Sequence, residues 1–146
     1  MKKIVFLFLI AFVLYGCPPV DCEDMLYDVG PPILHIELIE EDSEENIFTK
    51  ELFSSEDLQI TDVDGNTIEY RFIDENNYNI IQLIPYRYDD ENTFFIILGD
   101  EINIELVFDI DEYVGECSSS FYIEDIKVEN YSYVINNERG ILEIKI

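Results

Sequence analysis

The chain has 146 residues, of which 33 are acidic and eight are basic, so its formal net charge is −25. This balance excludes nucleic acids and anionic lipid headgroups as binding partners, because proteins that bind them need lysine and arginine. Apolar residues make up 48% of the chain, which is enough to bury the core of a single domain and argues against wholesale disorder.

The N-terminus has the layout of a secretory signal peptide. Lys2 and Lys3 form a short positive region, and residues 4–14 form an unbroken apolar run. The run is too short to cross a bilayer, which takes about twenty apolar residues. It ends in Leu14-Tyr15-Gly16-Cys17.

This tetrapeptide resembles the lipobox of bacterial lipoproteins, with Leu14 and Gly16 matching and Tyr15 standing where a small residue is commoner. The resemblance implies that the thiol of Cys17 receives a diacylglyceryl group, that the Gly16–Cys17 bond is cut and that the new amine is acylated. Each buried methylene adds about 0.8 kcal/mol, so three acyl chains would anchor the protein stably. We therefore expect an exported protein anchored by lipid, in the outer membrane of a Gram-negative cell. An ordinary cleaved leader and an uncleaved anchor are the alternatives.

Two proline pairs bound the segment that follows the leader. Pro18-Pro19 comes directly after Cys17, and Pro31-Pro32 precedes the first alternating stretch. Proline favours extended geometry and stops helices, so the segment is expected to be a short stiff tether. We divide the chain into a signal peptide (1–16), a lipidated cysteine with its Pro-rich tether (17–32) and an acidic β-domain (33–146).

With Cys17 lipidated, Cys22 and Cys117 remain as a pair, and an even pair in an exported protein predicts a disulfide. In the chain-entropy model, closing so long a loop stabilises the fold by roughly 4 to 5 kcal/mol. A catalytic or metal role is the alternative, but there is no Cys-x-x-Cys and His35 is the only histidine.

Apolar and polar residues alternate along most of the domain, which is the period of a half-buried strand. The clearest case is residues 102–110, where every even position is apolar. Short strands at close spacing, separated by turn residues, predict an all-β fold, namely an antiparallel immunoglobulin-like or transthyretin-like sandwich of about seven to nine strands. The candidate strands are residues 34–38, 57–62, 68–72, 80–84, 93–98, 102–110, 122–129, 131–135 and 142–146.

Asp64-Gly65 lies between two of these strands and is a strong hairpin signal, because tight hairpin turns need positive φ angles. Residues 62–66 are also similar in part to a calcium loop, with Asp62 and Asp64 as the cation ligands. A full loop would place a glutamate where this chain has Arg71. A plain hairpin turn is therefore the favoured interpretation.

Several further features occur together: the Gly16-Cys17 junction, an acidic β-domain rich in Ile and Asn, the Asp64-Gly65 turn, the stretch at residues 76–83 and the late Cys117. In this combination the chain resembles small lipoproteins of the Bacteroidetes type. The resemblance implies an envelope location and a β-domain, and it transfers no functional site, since most such proteins lack any known activity.

Tyr86-Arg87-Tyr88 is the candidate partner-binding group, because tyrosine and arginine are favoured at binding hot spots. The alternative is that these tyrosines only cover the edge of the core.

The sequence carries no nucleophile elbow, no zinc-protease motif and no phosphate loop, and His35 is expected on the outward face of its strand. We therefore predict a non-enzymatic binding or structural module of the cell envelope, with an envelope protein or a glycan as its partner. The lipid on Cys17 is the only cofactor expected. A calcium-binding domain or a small hydrolase built on acidic loops is the alternative.

Overall fold

The computed structural model describes residues 30–75, 78–85, 92–115 and 118–146. Within these ranges the chain forms nine strands and one short 3-10 helix at Ser55–Asp57. This confirms the predicted all-β class and strand number. The strands are β1 (Leu34–Ile39), β2 (Leu58–Asp62), β3 (Tyr70–Glu75), β4 (Tyr78–Leu83), β5 (Asn92–Leu98), β6 (Ile102–Val114), β7 (Ser119–Glu129), β8 (Ser132–Asn136) and β9 (Ile141–Lys145).

The strands follow from the alternation in the sequence. Along β5 every second side chain is buried, and in β6 the buried positions are Ile104, Leu106 and Phe108. Successive side chains of a strand point to opposite faces, so this pattern leaves each sheet with one apolar face to remove from water. The two apolar faces pack on each other and form one core, in which the rings of Phe94 and Phe108 lie 5.5 Å apart.

The strands are arranged in two sheets, one in the order β3-β4-β1-β9-β8 and the other in the order β2-β5-β6-β7. All neighbouring strands are antiparallel except β1 and β9, which pair in parallel from His35 with Ile141 to Ile39 with Lys145. The predicted sandwich is therefore present, but it is not purely antiparallel. Parallel neighbours need a long connection, and here nearly the whole domain separates the two strands.

The predicted hairpin at Asp64-Gly65 is wrong as a strand pairing, although its turn forms. Gly65 has a φ of +80°, and the flanking backbone makes one bridge between Thr61 and Thr67. Beyond that bridge the chain crosses between the layers, because β2 pairs with β5 whereas β3 pairs with β4. The turn sequence specifies only the local geometry. The pairing of the two strands ends after the bridge because β2 and β3 are buried in separate sheets.

On each open side of the sandwich, a tyrosine hydroxyl bonds one sheet to the other. Tyr70 on β3 donates to the carbonyl oxygen of Leu58 on β2, at 2.7 Å. On the opposite side, Tyr133 on β8 donates to the carbonyl oxygen of Ile126 on β7, also at 2.7 Å. Burial raises the pKa of Tyr70, so its hydroxyl keeps the donated proton to a higher pH than an exposed tyrosine does.

We expect Tyr70→Phe and Tyr133→Phe each to lower the free energy of unfolding by about 1 kcal/mol, because each removes one hydrogen bond and leaves the packing intact. The two losses should add, since the bonds lie on opposite sides. Chemical denaturation of the two single variants and of the double variant measures these losses of unfolding free energy. Tyr113→Phe is the control, because Tyr113 is 64% exposed. Equal losses in all three variants would contradict a role for the bonds between the sheets.

Candidate functional site

Most of the residues singled out from the sequence lie outside the described part of the chain. These are Gly16 and Cys17 of the cleavage and lipidation site, Cys22 and Cys117 of the expected disulfide, and Tyr86-Arg87-Tyr88. Their roles stay predictions. Within the described ranges, no helix has the length and apolar character needed to cross a membrane.

The possible cation ligands Asp62 and Asp64 belong to the turn after β2. The carboxylate Oδ1 of Asp62 accepts hydrogen bonds from the backbone N–H groups of Asp64, at 3.0 Å, and Asn66, at 2.8 Å. Its Oδ2 accepts one from the side-chain amide of Asn66, at 2.9 Å. The carboxylate thus shapes the turn. Among the described residues, no group of three or more His, Cys, Asp or Glu side chains could hold a metal ion.

A cleft of about 450 Å³ opens where the segment between β1 and β2 meets β3 and β4. Its volume lies within the usual range for sites that bind small molecules or single side chains. We call it the phenylalanine cleft. Its lining combines four apolar side chains with a polar rim: Phe48, Leu52, Phe53 and Phe72, and then Glu51, Ser54, Ser55, Asp57, Asp74 and Asn79.

The floor of the phenylalanine cleft is aromatic. Phe48 is buried, and its ring meets that of Phe72 edge to face at a centroid distance of 4.9 Å. Phe53 is half-buried, and the neighbouring Leu52 is 50% exposed. An apolar side chain as exposed as Leu52, beside half-buried rings, offers a surface on which a ligand could bury apolar area.

The buried side chain of Asn46 holds the wall of the cleft in place. Its Oδ1 accepts hydrogen bonds from the backbone N–H groups of Phe48, at 2.9 Å, and Thr49, at 3.3 Å. Its Nδ2 donates to the carbonyl oxygen of Asn79 on β4, at 2.9 Å. Asn79 in turn donates to the hydroxyl of Thr49, at 2.8 Å. One amide therefore fixes both the turn that carries Phe48 and its distance from the sheet.

The rim also contains a cap on the 3-10 helix. The carboxylate of Asp57 accepts hydrogen bonds from the backbone N–H and the hydroxyl of Ser54, at 2.8 and 2.9 Å. These bonds hold the pKa of Asp57 below its ordinary value, the backbone bond contributing most. Asp57 therefore stays ionised at any pH near neutrality, which keeps negative charge at the mouth of the cleft.

The nearest cation in the sequence does not neutralise this rim. Lys50 precedes Glu51, but its ammonium is bonded to the carboxylate of Glu40. Glu51, Asp57 and Asp74 are all exposed. The rim is thus acidic, and a cationic group is the complementary ligand.

A second cluster, on the outer face of the five-stranded sheet, is already paired. One guanidinium nitrogen of Arg139 lies 3.0 Å from a carboxylate oxygen of Glu37 and 3.5 Å from one of Glu143. The same guanidinium lies 5.4 Å from the ring centre of Tyr78. These contacts tie the turn before β9 to three strands and give Arg139 a structural role. His35, predicted on the outward face, is half-buried, and its Nε2 lies 3.1 Å from the amide nitrogen of Gln82.

The phenylalanine cleft lies away from the start of β1. Leu34, at the start of β1, pairs with Leu83 at the end of β4. Because the two strands are antiparallel, Asn79 of the cleft lies at the other end of β4. The cleft therefore lies at the opposite end of β4 from Leu34.

We expect Asn46→Ala to lower the free energy of unfolding by about 1 to 3 kcal/mol, because it removes a buried group that satisfies three backbone partners. Thermal or chemical denaturation measures the loss. Asn103→Ala is the matched control, since Asn103 is an exposed position on β6. If the two variants were equally stable, Asn46 would not hold the wall of the cleft.

We expect the pKa of Asp57 to lie below 3.8 and to rise towards that value in Ser54→Ala. A depressed pKa in the folded state means that Asp57 stabilises the fold above pH 3.8 and that this contribution is lost as the pH falls through the lower value. Carboxyl chemical shifts followed by NMR across pH 2 to 6 would give both pKa values. The same pKa in the two proteins would contradict a contribution of the Ser54 hydroxyl to the cap.

The comparisons with known proteins leave the fold and the cleft as the basis for assigning a function. No protein-family model, curated protein or solved structure matches this chain.

Proposed function

We propose that the chain is a lipid-anchored lipoprotein whose β-sandwich is a non-enzymatic binding module of the cell envelope, and that the phenylalanine cleft takes a lysine or arginine side chain of a partner protein. The anchor rests on the resemblance of residues 14–17 to a lipobox. The observation that carries the binding role is a cleft whose aromatic floor lies beneath an acidic rim.

Lysine and arginine suit both parts of this cleft. Their methylene stems can bury apolar area against Phe53 and Leu52, while the charged head stays near the wet rim. The head can also lie over the face of an aromatic ring, which is worth about 0.5 to 2 kcal/mol. Glu51, Asp57 and Asp74 would attract the same cation over a longer range.

The polar groups of the cleft favour binding over catalysis. The hydroxyl of Ser54 donates to Asp57. His35 contacts Gln82 outside the cleft lining. A serine nucleophile needs a general base that takes up its proton, and the carboxylate that Ser54 reaches, Asp57, has a lowered pKa and is therefore a poor base. This arrangement supports a binding module.

The anchor is tested on the full chain expressed in a Gram-negative host and fed a labelled fatty acid. We expect the wild type to incorporate the label and to sediment with membranes. Cys17→Ser should lose both properties, whereas Cys22→Ser should keep both. Label retained in Cys17→Ser, or lost in both variants, would refute lipidation at residue 17.

The cleft is tested by calorimetric titration of the full chain, in detergent, with a short extended peptide containing lysine and leucine. We expect Phe72→Ala to weaken binding about tenfold, which corresponds to roughly 1.4 kcal/mol of lost aromatic contact. Asp74→Asn should also weaken binding and should reduce its salt dependence.

Asp125→Asn is the control for Asp74→Asn, because it makes the same change of net charge on β7, outside the cleft. We expect it to bind like the wild type. Equal weakening by both substitutions would show that only the overall charge attracts the peptide. Preference for a neutral oligosaccharide or for a glutamate-containing peptide would contradict a cation-binding cleft.

A further inference from the structure

One edge of the five-stranded sheet runs along the phenylalanine cleft. β3 is the outermost strand of that sheet, and its one neighbour among the described strands is β4. Phe72 and Asp74 of β3 line the cleft. An edge strand presents backbone N–H and C=O groups with which another extended chain can pair. The cleft and the edge of β3 therefore form one continuous surface.

The backbone groups that point outward from β3 belong to the same two residues that line the cleft. Asn79 pairs with Asp74, yet its carbonyl oxygen accepts a hydrogen bond from the side chain of Asn46 and so points away from β3. In an antiparallel ladder, hydrogen-bonded and non-hydrogen-bonded pairs alternate, so the pair of Asp74 with Asn79 is a non-hydrogen-bonded one. The pair two residues earlier, which contains Phe72, is of the same kind. The N–H and C=O groups of Phe72 and Asp74 are therefore directed towards the open edge.

This edge is regular enough to take another strand. All six residues of β3 pair with β4 without a register shift, none has a positive φ angle and none is proline. Within the described ranges, no further backbone group bonds to the backbone of Phe72 or Asp74. The edge strand β7 of the other sheet differs, because Asp125 has a φ of +50° and the register with β6 shifts. Such a bulge hinders pairing, and β3 has none.

A strand added to β3 would direct every second side chain into the cleft. Directly opposite residues of two paired strands lie on the same face of the sheet, with their Cβ atoms about 5 Å apart. Phe72 and Asp74 face the cleft, so the two residues opposite them would face it as well. Ile73 lies between them on the outer face of the sheet, and the residue opposite Ile73 would lie there too.

The charge of the cleft indicates which side chains the added strand carries. The rim residues Glu51, Asp57 and Asp74 are exposed acids, so lysine is the complementary residue opposite both Asp74 and Phe72. The lysine stem can also pack on the ring of Phe72. Ile73 is half-buried, and a β-branched residue such as valine suits the position opposite it. The expected pattern is lysine, valine and lysine in succession.

We propose that the phenylalanine cleft recognises an extended cationic segment of a partner protein, which pairs antiparallel with β3 through Phe72 and Asp74 and carries lysine at alternate positions. The proposal rests on the cation-binding role proposed above for the cleft, and it adds the way in which the ligand is held. Backbone hydrogen bonds supply affinity, and the cleft selects the side chains. An antiparallel segment is favoured because antiparallel ladders are slightly more stable per residue than parallel ones.

A partner protein is favoured over a second copy of this chain. If the β3 strands of two copies paired around Ile73, Asp74 of each copy would lie opposite Phe72 of the other, on the cleft side. This would add a carboxylate to a rim that already contains Glu51 and Asp57. Two copies that each carry a net charge of −25 also repel one another.

The first test is a calorimetric titration of the full chain, in detergent, with the end-blocked peptide Gly-Ser-Lys-Val-Lys-Ser-Gly and with versions methylated at one backbone nitrogen. In the proposed pairing both lysine N–H groups donate to β3, whereas the valine N–H points to solvent. We expect methylation at either lysine to weaken binding about tenfold, which corresponds to roughly 1.4 kcal/mol. Methylation at valine is the matched control and should leave the affinity within about twofold.

The methylated peptides separate this proposal from the cation-binding role of the cleft. Equal weakening by methylation at lysine and at valine, or a loss confined to valine, would overturn the antiparallel pairing. If Asp74→Asn weakens binding but no methylation does, the pairing is wrong and the cation-binding cleft stands. If the unmethylated peptide does not bind, both proposals are wrong.

The second test follows amide hydrogen exchange of the full chain by NMR. We expect the amides of Phe72 and Asp74 to exchange rapidly without the peptide and about tenfold more slowly when the peptide is saturating. The amide of Ile73 is the control, because it already points towards β4 and should change little. Unchanged exchange at Phe72 and Asp74 would overturn the proposal. Slow exchange at both residues before the peptide is added would also overturn it, because the edge would then already be paired.

Discussion

The structure depends on the burial of one apolar face per sheet. Ile36 and Ile81 in one sheet, and Ile104 and Phe108 in the other, have no accessible surface left. At about 25 cal/mol per Å² of apolar surface, this burial is the main favourable term in the stability of such a domain. Burial of the two apolar faces therefore determines how the sheets pack. The open sides of the sandwich are the surfaces that remain for binding a ligand.

The two open sides follow from the order of the strands in each sheet. A tyrosine hydroxyl bonds the sheets together on both sides, and the phenylalanine cleft lies on the side of the Tyr70 bond. The phenylalanine cleft exists because the chain leaves β2 at Asp62 and enters the other layer at Tyr70. A continued hairpin would have kept β2 and β3 in one sheet and would have separated Phe72 from β4, which carries Asn79 of the cleft.

The sequence predicts the strands well because burial on one face imposes a two-residue period, as in residues 102–110. The sequence does not predict the parallel pairing of β1 with β9, because that contact depends on how the residues between the two strands fold. The sequence also does not predict the phenylalanine cleft. Phe48 and Phe53 lie in a segment without strand period, and the buried amide of Asn46 meets its partner on β4 only in the folded chain. The one signal of the cleft in the sequence was the cluster of apolar residues between the acidic residues of the segment 40–56.

The separation of β2 from β3 is thus the feature on which the cleft and its proposed cation ligand rest. Nuclear Overhauser contacts in labelled protein test it most directly. We expect backbone contacts between Gln59 and Ile97 and between Arg71 and Gln82, as in the observed pairs. Contacts between Gln59 and Glu69 that continue the hairpin instead would place β2 and β3 in one sheet and would contradict the cleft.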